Sequence, residues 1–407
     1  IMNKSRVTST TATRRPDKNW YNKTMAMIYL DHAAATPLDD RVLAAMQPFF
    51  ADQFFNPSSP YAPAVLVRRA YEAAKDSIAQ AIGVKADEIV MTAGATESIN
   101  LMFQSTTGHV VTSSIEHHAV LRAAEARGEA TIVNPDVRGV VSSASIRAAI
   151  RPTTTLVSIQ LANNELGTIQ PLRNIAEVVR AERQRRFEAG EQTPIWLHTD
   201  ASQGAGQIDI SPARLGVDAM TLNAGKIYGP KQVGLLWVDR RVQLTPVIVG
   251  GGQERGLRSG TENVAGTVGF ATALTLAQEH RQGEAKRLQT LRDSLETALT
   301  SAFPGAVVSG SRKKRLPGHL HISFPGLDAE RLIFLLENEG VLVATGSACA
   351  ANNGTRSHVL TAIGLAPDVA DGSLRITLGR LSDEATITRA ADIIQRIIIS
   401  EKERIAA

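Results

Sequence analysis

Apolar positions follow two rhythms along this chain, and the rhythms take turns. From Ile28 onward, short β-branched runs stop at polar residues and give way to stretches with apolar residues at helical spacing. The run "DEIVMTAG" ends at Gly94, and "ATESINLMFQ" after it carries the helical pattern. "GHVVTSSIEHHAVLRAAEA" repeats the layout of apolar strand, polar residues and helix. "TTLVSIQLANNE" precedes a helix expected from about Leu172 to Phe187, and "IWLHTDASQ", "AMTLNAGK" and "VGLLWVD" add three apolar runs. Strands alternating with helices predict an α/β fold, a mainly parallel sheet with helices on both faces. Ligands gather beyond the carboxyl ends of such strands. The polar clusters stand there: 94–100, His117, Asn163 and Asn164, 200–203 and 223–226.

Further on, Leu288, Leu291, Leu295 and Leu299 are spaced by three and four, a helix signature. "HLHISFPG" and "AERLIFLLENEGVLVATGS" then predict strand, helix and strand. The expected organisation is a large α/β domain over 28–281 and a smaller C-terminal α+β domain over 282–407. Residues 1–27 form a basic leader rich in Ser, Thr, Lys and Arg, with Asp17 its one acid. The leader has no apolar core, so a secretory signal is excluded. It is expected to be a disordered extension, an organelle presequence, or a stretch ahead of a true start at Met25 or Met27.

Composition removes several function classes. No run of eighteen apolar residues occurs, so no membrane association is expected. Formal net charge is only +4, and the basic runs "RAERQRR" (180–186) and "SRKKR" (311–315) contain no aromatic residue to stack on bases. They are expected to be solvated surface, with no nucleic-acid partner. A single cysteine excludes an internal disulfide and points to a reducing, cytoplasmic setting.

Nucleotide motifs fail, because Ile227 follows the Gly-Lys pair where a phosphate loop needs Ser or Thr, and "GAGQID" lacks the third glycine. His319 and His321 alternate on a strand and could hold a metal, but no third ligand stands near. They are expected at a surface or interface, and no metal site is assigned. A hydrolase elbow is missing. What stands out is Asp200 closing one apolar strand and Lys226 ending the next. A lysine amine there can form a Schiff base with an aldehyde cofactor, and an aspartate can keep a pyridine nitrogen protonated. Taken alone, Asp200 reads as a helix cap and Lys226 as a surface turn; their order and neighbours favour the chemistry. Cys349, in "ATGSACAANNGT", is by type a buried small hydrophobe. Its small, turn-forming neighbours suit a loop that carries a reactive thiol.

Several stretches in register resemble the NifS-like cysteine desulfurases, pyridoxal-phosphate enzymes of aminotransferase fold type I. The resemblance runs from "IYLDHAAATP" to "SLRITLGR" through "FNPSSP", "TAGATESIN", "EHHAVL", "NNELGTIQ", "HTDASQ", "GKIYGPK", "GGGQERGLRSGTEN" and "GSAC". It implies pyridoxal 5'-phosphate as cofactor, with Lys226 its Schiff-base lysine and proton carrier and Asp200 its pyridinium partner. Gln203 and Asn164 match groups on the ring oxygen, Asn164 also being expected to bind substrate, with neighbouring Asn163 easily confused with Asn164. His117 matches an imidazole stacked on the ring and is also a candidate proton carrier, whereas His118 reads as helix surface. Ala95 and Thr96 match a phosphate cradle at a helix N-terminus. Thr261 resembles a phosphate ligand lent across a homodimer interface, and Arg375 a clamp for the substrate carboxylate, its alternative being a structural ion pair.

The implied reaction takes sulfur from L-cysteine as a persulfide on Cys349, releases L-alanine and passes the sulfur to a scaffold or carrier protein, for iron–sulfur assembly or another product. A selenocysteine lyase, another cysteine lyase, and a catalytically silent assembly platform are the alternatives. One departure matters. Many relatives have His just before the lysine and Ser two residues earlier, where this chain has Gly225 and Asn223. Weaker phosphate anchoring is expected, or compensation by the backbone N–H groups of Ala224 and Gly225.

Overall fold

The computed structural model describes residues 27–346 and 356–407. The leader up to residue 26, and Cys349, lie outside the described residues. In chain order the strands are β1 (Ile28–Tyr29), β2 (Ile89–Thr92), β3 (His109–Ser113), β4 (Ala130–Val133), β5 (Thr154–Ser158) and β6 (Trp196–Asp200). They continue as β7 (Ala219–Asn223), β8 (Gly234–Val238), β9 (Val307–Val308), β10 (His319–Ser323), β11 (Val341–Leu342) and β12 (Ser373–Thr377).

Seven strands form the main sheet in the order β2-β8-β7-β6-β5-β3-β4. Pairings from β7 to β4 are parallel, and β8 runs antiparallel to both its neighbours. Successive residues feed opposite cores. Val110, Leu156 and Leu236 pack into one apolar cluster with Ile99, Met102 and Phe103 of helix Ala95–Gln104. Val111, Val157 and Leu235 pack into the other. A sheet covered on both faces needs near-continuous apolar strands, as the sequence pattern required.

The second core is built differently. β12, β10 and β9 form an antiparallel sheet, and β1 pairs with β11. Leu320, Ile322, Leu374 and Ile376 face a core shared with Leu288, Leu291, Leu295 and Leu299, as well as Ile28 and Leu30. Helix Val264–Ala302 serves both cores without a break, with Phe270 and Leu274 in the first and the four leucines in the second. The other face of β10 and β12 carries His319, His321, Ser323, Ser373, Arg375 and Thr377 in cross-strand register, and is buried too.

Two expectations are corrected here. His319 and His321 are 2% and 0% exposed, so neither is a surface histidine. The turn after β5 lies over them so closely that a Cβ on Gly167 would come within 2.5 Å of the His319 Cβ. The basic runs are also only partly solvated. Arg186 is 2% exposed and donates to the carbonyls of Thr154 and Arg151 (2.8 and 3.0 Å), while Arg315 is buried against Glu296. Both arginines hold the fold together and offer nothing to a polyanion.

Candidate active site

β6 and β7 are adjacent and parallel, with Asp200 opposite Thr221, so Asp200 and Asn223 leave the sheet at one edge. The chain then turns sharply. Asn223 Oδ1 accepts from the Gly225 N–H (2.9 Å), a short helical turn spans Ala224–Lys226, and Tyr228 follows at φ 64°. A left-handed tyrosine is strained and needs its surroundings to hold it. Thr36 does so: its Oγ1 accepts from the Tyr228 N–H (2.8 Å) and donates to the Gly225 carbonyl (3.1 Å). The stretch around Thr36 thereby lies across the lysine. Lys226 Nζ donates to the Ala33 and Ala34 carbonyls (2.9 and 2.7 Å), and Gln203 Nε2 also donates to Ala33 (3.0 Å).

A cavity of about 270 Å³ opens at this edge. Lys226, Asp200, Gln203 and Asn223 line one side, Ala95, Thr96 and His117 another, and Asn164 and Arg375 a third. The Lys226 amine and the Asp200 carboxylate therefore border one space. Thr261 is exposed and does not line this cavity. Asn163 is distinguished from Asn164. The former is buried, its Oδ1 accepting from the N–H groups of Glu165 and Leu166 and its Nδ2 donating to the Ile115 carbonyl. Asn164 is the one that faces the cavity.

His117 caps helix His118–Arg127, its Nδ1 accepting from the Ala119 N–H (3.1 Å). That bond leaves the ring proton on Nε2. Its edge is open to the cavity, yet enough protein surrounds it for desolvation to push its pKa down. Asp200 pulls the value back up and Lys226 adds to the lowering, so the three groups share one field. Arg375 is 3% exposed and gives a 2.7 Å bond to Asp31 Oδ1 and a longer one, 3.4 Å, to the Asn164 carbonyl. Its Nε has no partner among the described residues.

The expected compensation for Gly225 does not occur. Ala224 N–H is spent on the Val233 carbonyl and Gly225 N–H on Asn223. With Oδ1 so engaged, the Asn223 Nδ2 is the end left to donate. Sequence reasoning also missed several wall residues. Glu165, Gln160, His118 and His358 border the cavity, and the His118 and His358 rings lie 4.6 Å apart, so His118 is not plain helix surface. No spacing rule pairs residues 118 and 358.

Fold and cavity define an α/β enzyme that handles a small molecule at the carboxyl edge of its sheet. The aminotransferase class-V family model matches residues 28–389, and the chain belongs to that family. It is 39% identical to the cysteine desulfurase IscS of Dictyoglomus turgidum, over 91% of this chain and 94% of that protein. Among solved structures it is similar to a NifS-like protein (34% identity, TM-score 0.84), covering 92% of this chain and 99% of that one. It is also similar to SspA in complex with cysteine (35% identity, TM-score 0.71), covering 86% and 98%.

Members of the family depend on pyridoxal phosphate, and the residues here fit it. The volume approaches the lower end of small-molecule sites, about 300 Å³. Gly94 caps helix Ala95–Gln104 without a side chain, so the first-turn N–H groups are left for an anion. The buried Ser202 Oγ on the cavity wall has no partner among the described residues. Lys226 suits the aldehyde and Asp200 the ring nitrogen. No helix among the described residues is long and apolar enough to cross a membrane.

Proposed function

We propose that this chain is a pyridoxal-phosphate-dependent cysteine desulfurase that moves the sulfur of L-cysteine to Cys349 and releases L-alanine. The observation that carries the reading is the amine of Lys226 and the carboxylate of Asp200 bordering one cavity at neighbouring strand ends. When bound, pyridoxal phosphate supplies an electron sink that stabilises negative charge at the Cα of an amino acid.

The chain's own residues do the rest. Lys226 would hold the aldehyde and later take the Cα proton. Asp200 would keep the ring nitrogen protonated. Ala95 and Thr96, with Asn223, would hold the phosphate, while Gln203 and Asn164 would meet the ring oxygen and His117 would face the ring. Arg375, oriented by Asp31, takes the substrate carboxylate in a forked contact. Cys349 attacks as the thiolate. A sulfur–sulfur bond forms, the carbon–sulfur bond breaks with its electrons left on carbon, a proton adds to that carbon, and return of the Cα proton from Lys226 completes alanine. Sulfur then leaves on a scaffold or carrier protein.

A homodimer belongs to this reading, with Thr261 completing the partner's phosphate site. In support, Thr261 is exposed away from its own cavity, and the Gly-rich segment before it is pinned by Glu254, which accepts from Tyr71, Lys75 Nζ and the Met91 N–H. Exposed Phe54, Tyr61, Leu66 and Val249 supply apolar surface for a contact. The division at about residue 282 into a cofactor-binding and a smaller domain also belongs to it, although one helix runs through that point. A thiol that must stay reduced favours the cytoplasm.

Purified protein supplied with pyridoxal phosphate should be yellow, and added L-cysteine should increase the mass of the peptide bearing Cys349 by one sulfur. Cys349→Ala should still bind cofactor and cysteine but release no sulfide. Undiminished sulfide from that variant would remove Cys349 from the mechanism. Protein that stays colourless with added cofactor would overturn the enzyme reading.

A further inference from the structure

The proposed reaction leaves one cavity-wall carboxyl unused. Glu165 is 1% exposed and sits in the turn after β5, fixed there by the two N–H bonds to Asn163 Oδ1. Its two oxygens meet two distant pieces of chain. Ser357 Oγ donates to Oε2 at 2.8 Å. Gly346 presses against Oε1 so tightly that a Cβ at 346 would lie 1.6 Å from that oxygen. Ser357 is itself anchored, because its Oγ accepts from the Val359 and Leu360 N–H groups and caps helix His358–Ala362. Gly346 stands three positions before Cys349, and Ser357 eight after it.

We propose that Glu165 is a positioning residue for sulfur transfer, one buried carboxyl that bonds Ser357 and packs against Gly346, the described residues on either side of the stretch that contains Cys349. This inference rests on the desulfurase reading. The anchor shares a turn with Asn164, so the groups facing the substrate and the origins of the thiol-bearing stretch are held by one rigid element. His321 Nε2 faces Oε1 at 3.9 Å, and the Arg375 guanidinium acts on the same carboxyl. Oε1 has no hydrogen-bond partner among the described residues, so close packing is what it shares with Gly346. Misplacing a reacting group by about 1 Å costs on the order of 100-fold in rate.

The test compares holoenzyme forms given one equivalent of L-cysteine. The cofactor's absorbance change reports substrate binding, and the mass of the Cys349 peptide reports transfer. Glu165→Ala should keep the absorbance change while persulfide forms about tenfold more slowly or worse. Glu165→Gln, whose amide oxygen still accepts from Ser357, should recover most of the rate, and Ser357→Ala should fall between. A second readout needs no turnover. Arg356 is exposed beside the anchored serine, and trypsin should cleave after it about threefold faster or more in Glu165→Ala, because proteolysis follows local opening.

An unchanged persulfide rate in Glu165→Ala would overturn the proposal. So would a loss of cysteine binding in proportion to the rate, which marks a general structural role. If Glu165→Ala does not fold, Ser357→Ala takes its place in both measurements, and the same two results would overturn the proposal there. Wild-type protein that binds cysteine but forms no persulfide would instead sink the desulfurase reading, and trypsin cleavage would still judge the anchor.

Discussion

The two sheets offer the cavity different parts of themselves. The seven-stranded sheet packs apolar clusters on both faces and contributes to the cavity from where its strands stop: Asp200, Asn223, and the turn to Lys226. The three-stranded sheet contributes a side chain from mid-strand, Arg375, which stands opposite His321 on a buried polar face that also carries His319. Their buried histidines show the difference best. In the large sheet, the His198 nitrogens lie 2.9 and 3.0 Å from Ser158 Oγ and Thr221 Oγ1, and those of His109 lie 2.7 and 2.8 Å from Thr154 and Thr131 hydroxyls. All four nitrogens of His319 and His321 lack a partner among the described residues. The same residue type, equally buried, is thus a cross-strand fastening in one sheet and an unfastened group in the other. Buried polar groups without partners cost stability and tend to collect at functional sites. Here they flank Arg375 and Glu165.

If strand ends carry chemistry and the sheets carry stability, the sharpest test is Lys226→Ala. Turnover should fall by at least ~10³-fold, since the amine is both cofactor tether and proton carrier. The melting temperature of the cofactor-free protein should move by only about a few degrees. A large loss of stability in that apo-protein would mean the turn at Tyr228 depends on the lysine's bonds to Ala33 and Ala34, and the separation of roles would fail.

Much of this was legible beforehand because strand ends announce themselves. An apolar run that stops at Asp200 or Asn223 fixes both an element and its edge, whatever it packs against. The alternation in "HLHIS" likewise marks a two-faced strand. What it hides is that the polar face is covered by a turn some 150 residues earlier in the chain. Glu165 and the His118–His358 contact were illegible for the same reason. Their meaning lies in what they touch, and no periodicity encodes a contact between residues 165 and 357. Gly225 misled in the opposite direction, since its free-looking N–H is claimed by its own neighbour Asn223.

Two buried carboxyls extend the comparison to pH. Glu116, beside the large sheet, accepts from Ser113 Oγ and the Gln160 N–H, yet burial raises it to about 8, with Asp200 adding to the rise. Burial raises Glu165 to about 7, held back by Ser357 and Arg375. A carboxyl raised in the folded state stabilises fully below its unfolded value of 4.5, and that stability is lost as pH climbs through the folded value. These two carboxyls should therefore contribute a fall in unfolding free energy between about pH 4.5 and 8, and Glu116→Gln should remove its share of that fall. Histidines run the other way. Desolvation lowers His319 and His321 to about 3 and His198 to about 4, so their share is present above pH 6.5 and lost on acidification. Denaturant titrations across pH that give wild type and Glu116→Gln parallel profiles would contradict the assignment.

The histidines can be set directly against one another. His198→Leu strands the Ser158 and Thr221 hydroxyls and should cost about 2 kcal/mol or more. His321→Leu removes two unmatched nitrogens and should be neutral or stabilising by about 1 kcal/mol. Equal losses would show that His321 has found a partner in the folded protein in solution, and the contrast between the sheets would vanish.

The smallest expected effect lies at the edge where the large sheet departs from its relatives. The backbone amides of Ala224 and Gly225 are already spent, so Asn223 Nδ2 is the side-chain donor this turn retains for an anion. A single hydrogen bond to a charged acceptor contributes roughly 1.5–3 kcal/mol, and solvent reaching the cavity reduces that toward 1. Asn223→Ala should weaken pyridoxal phosphate binding about fivefold, measured by equilibrium dialysis, without altering persulfide formation at saturating cofactor. The variant also frees the Gly225 N–H, which can turn toward the phosphate and offset part of the loss. An affinity that rises would show that freed amide to be the better donor, and the asparagine would then be a brace for the lysine turn that the sheet keeps at some cost to its hold on the cofactor.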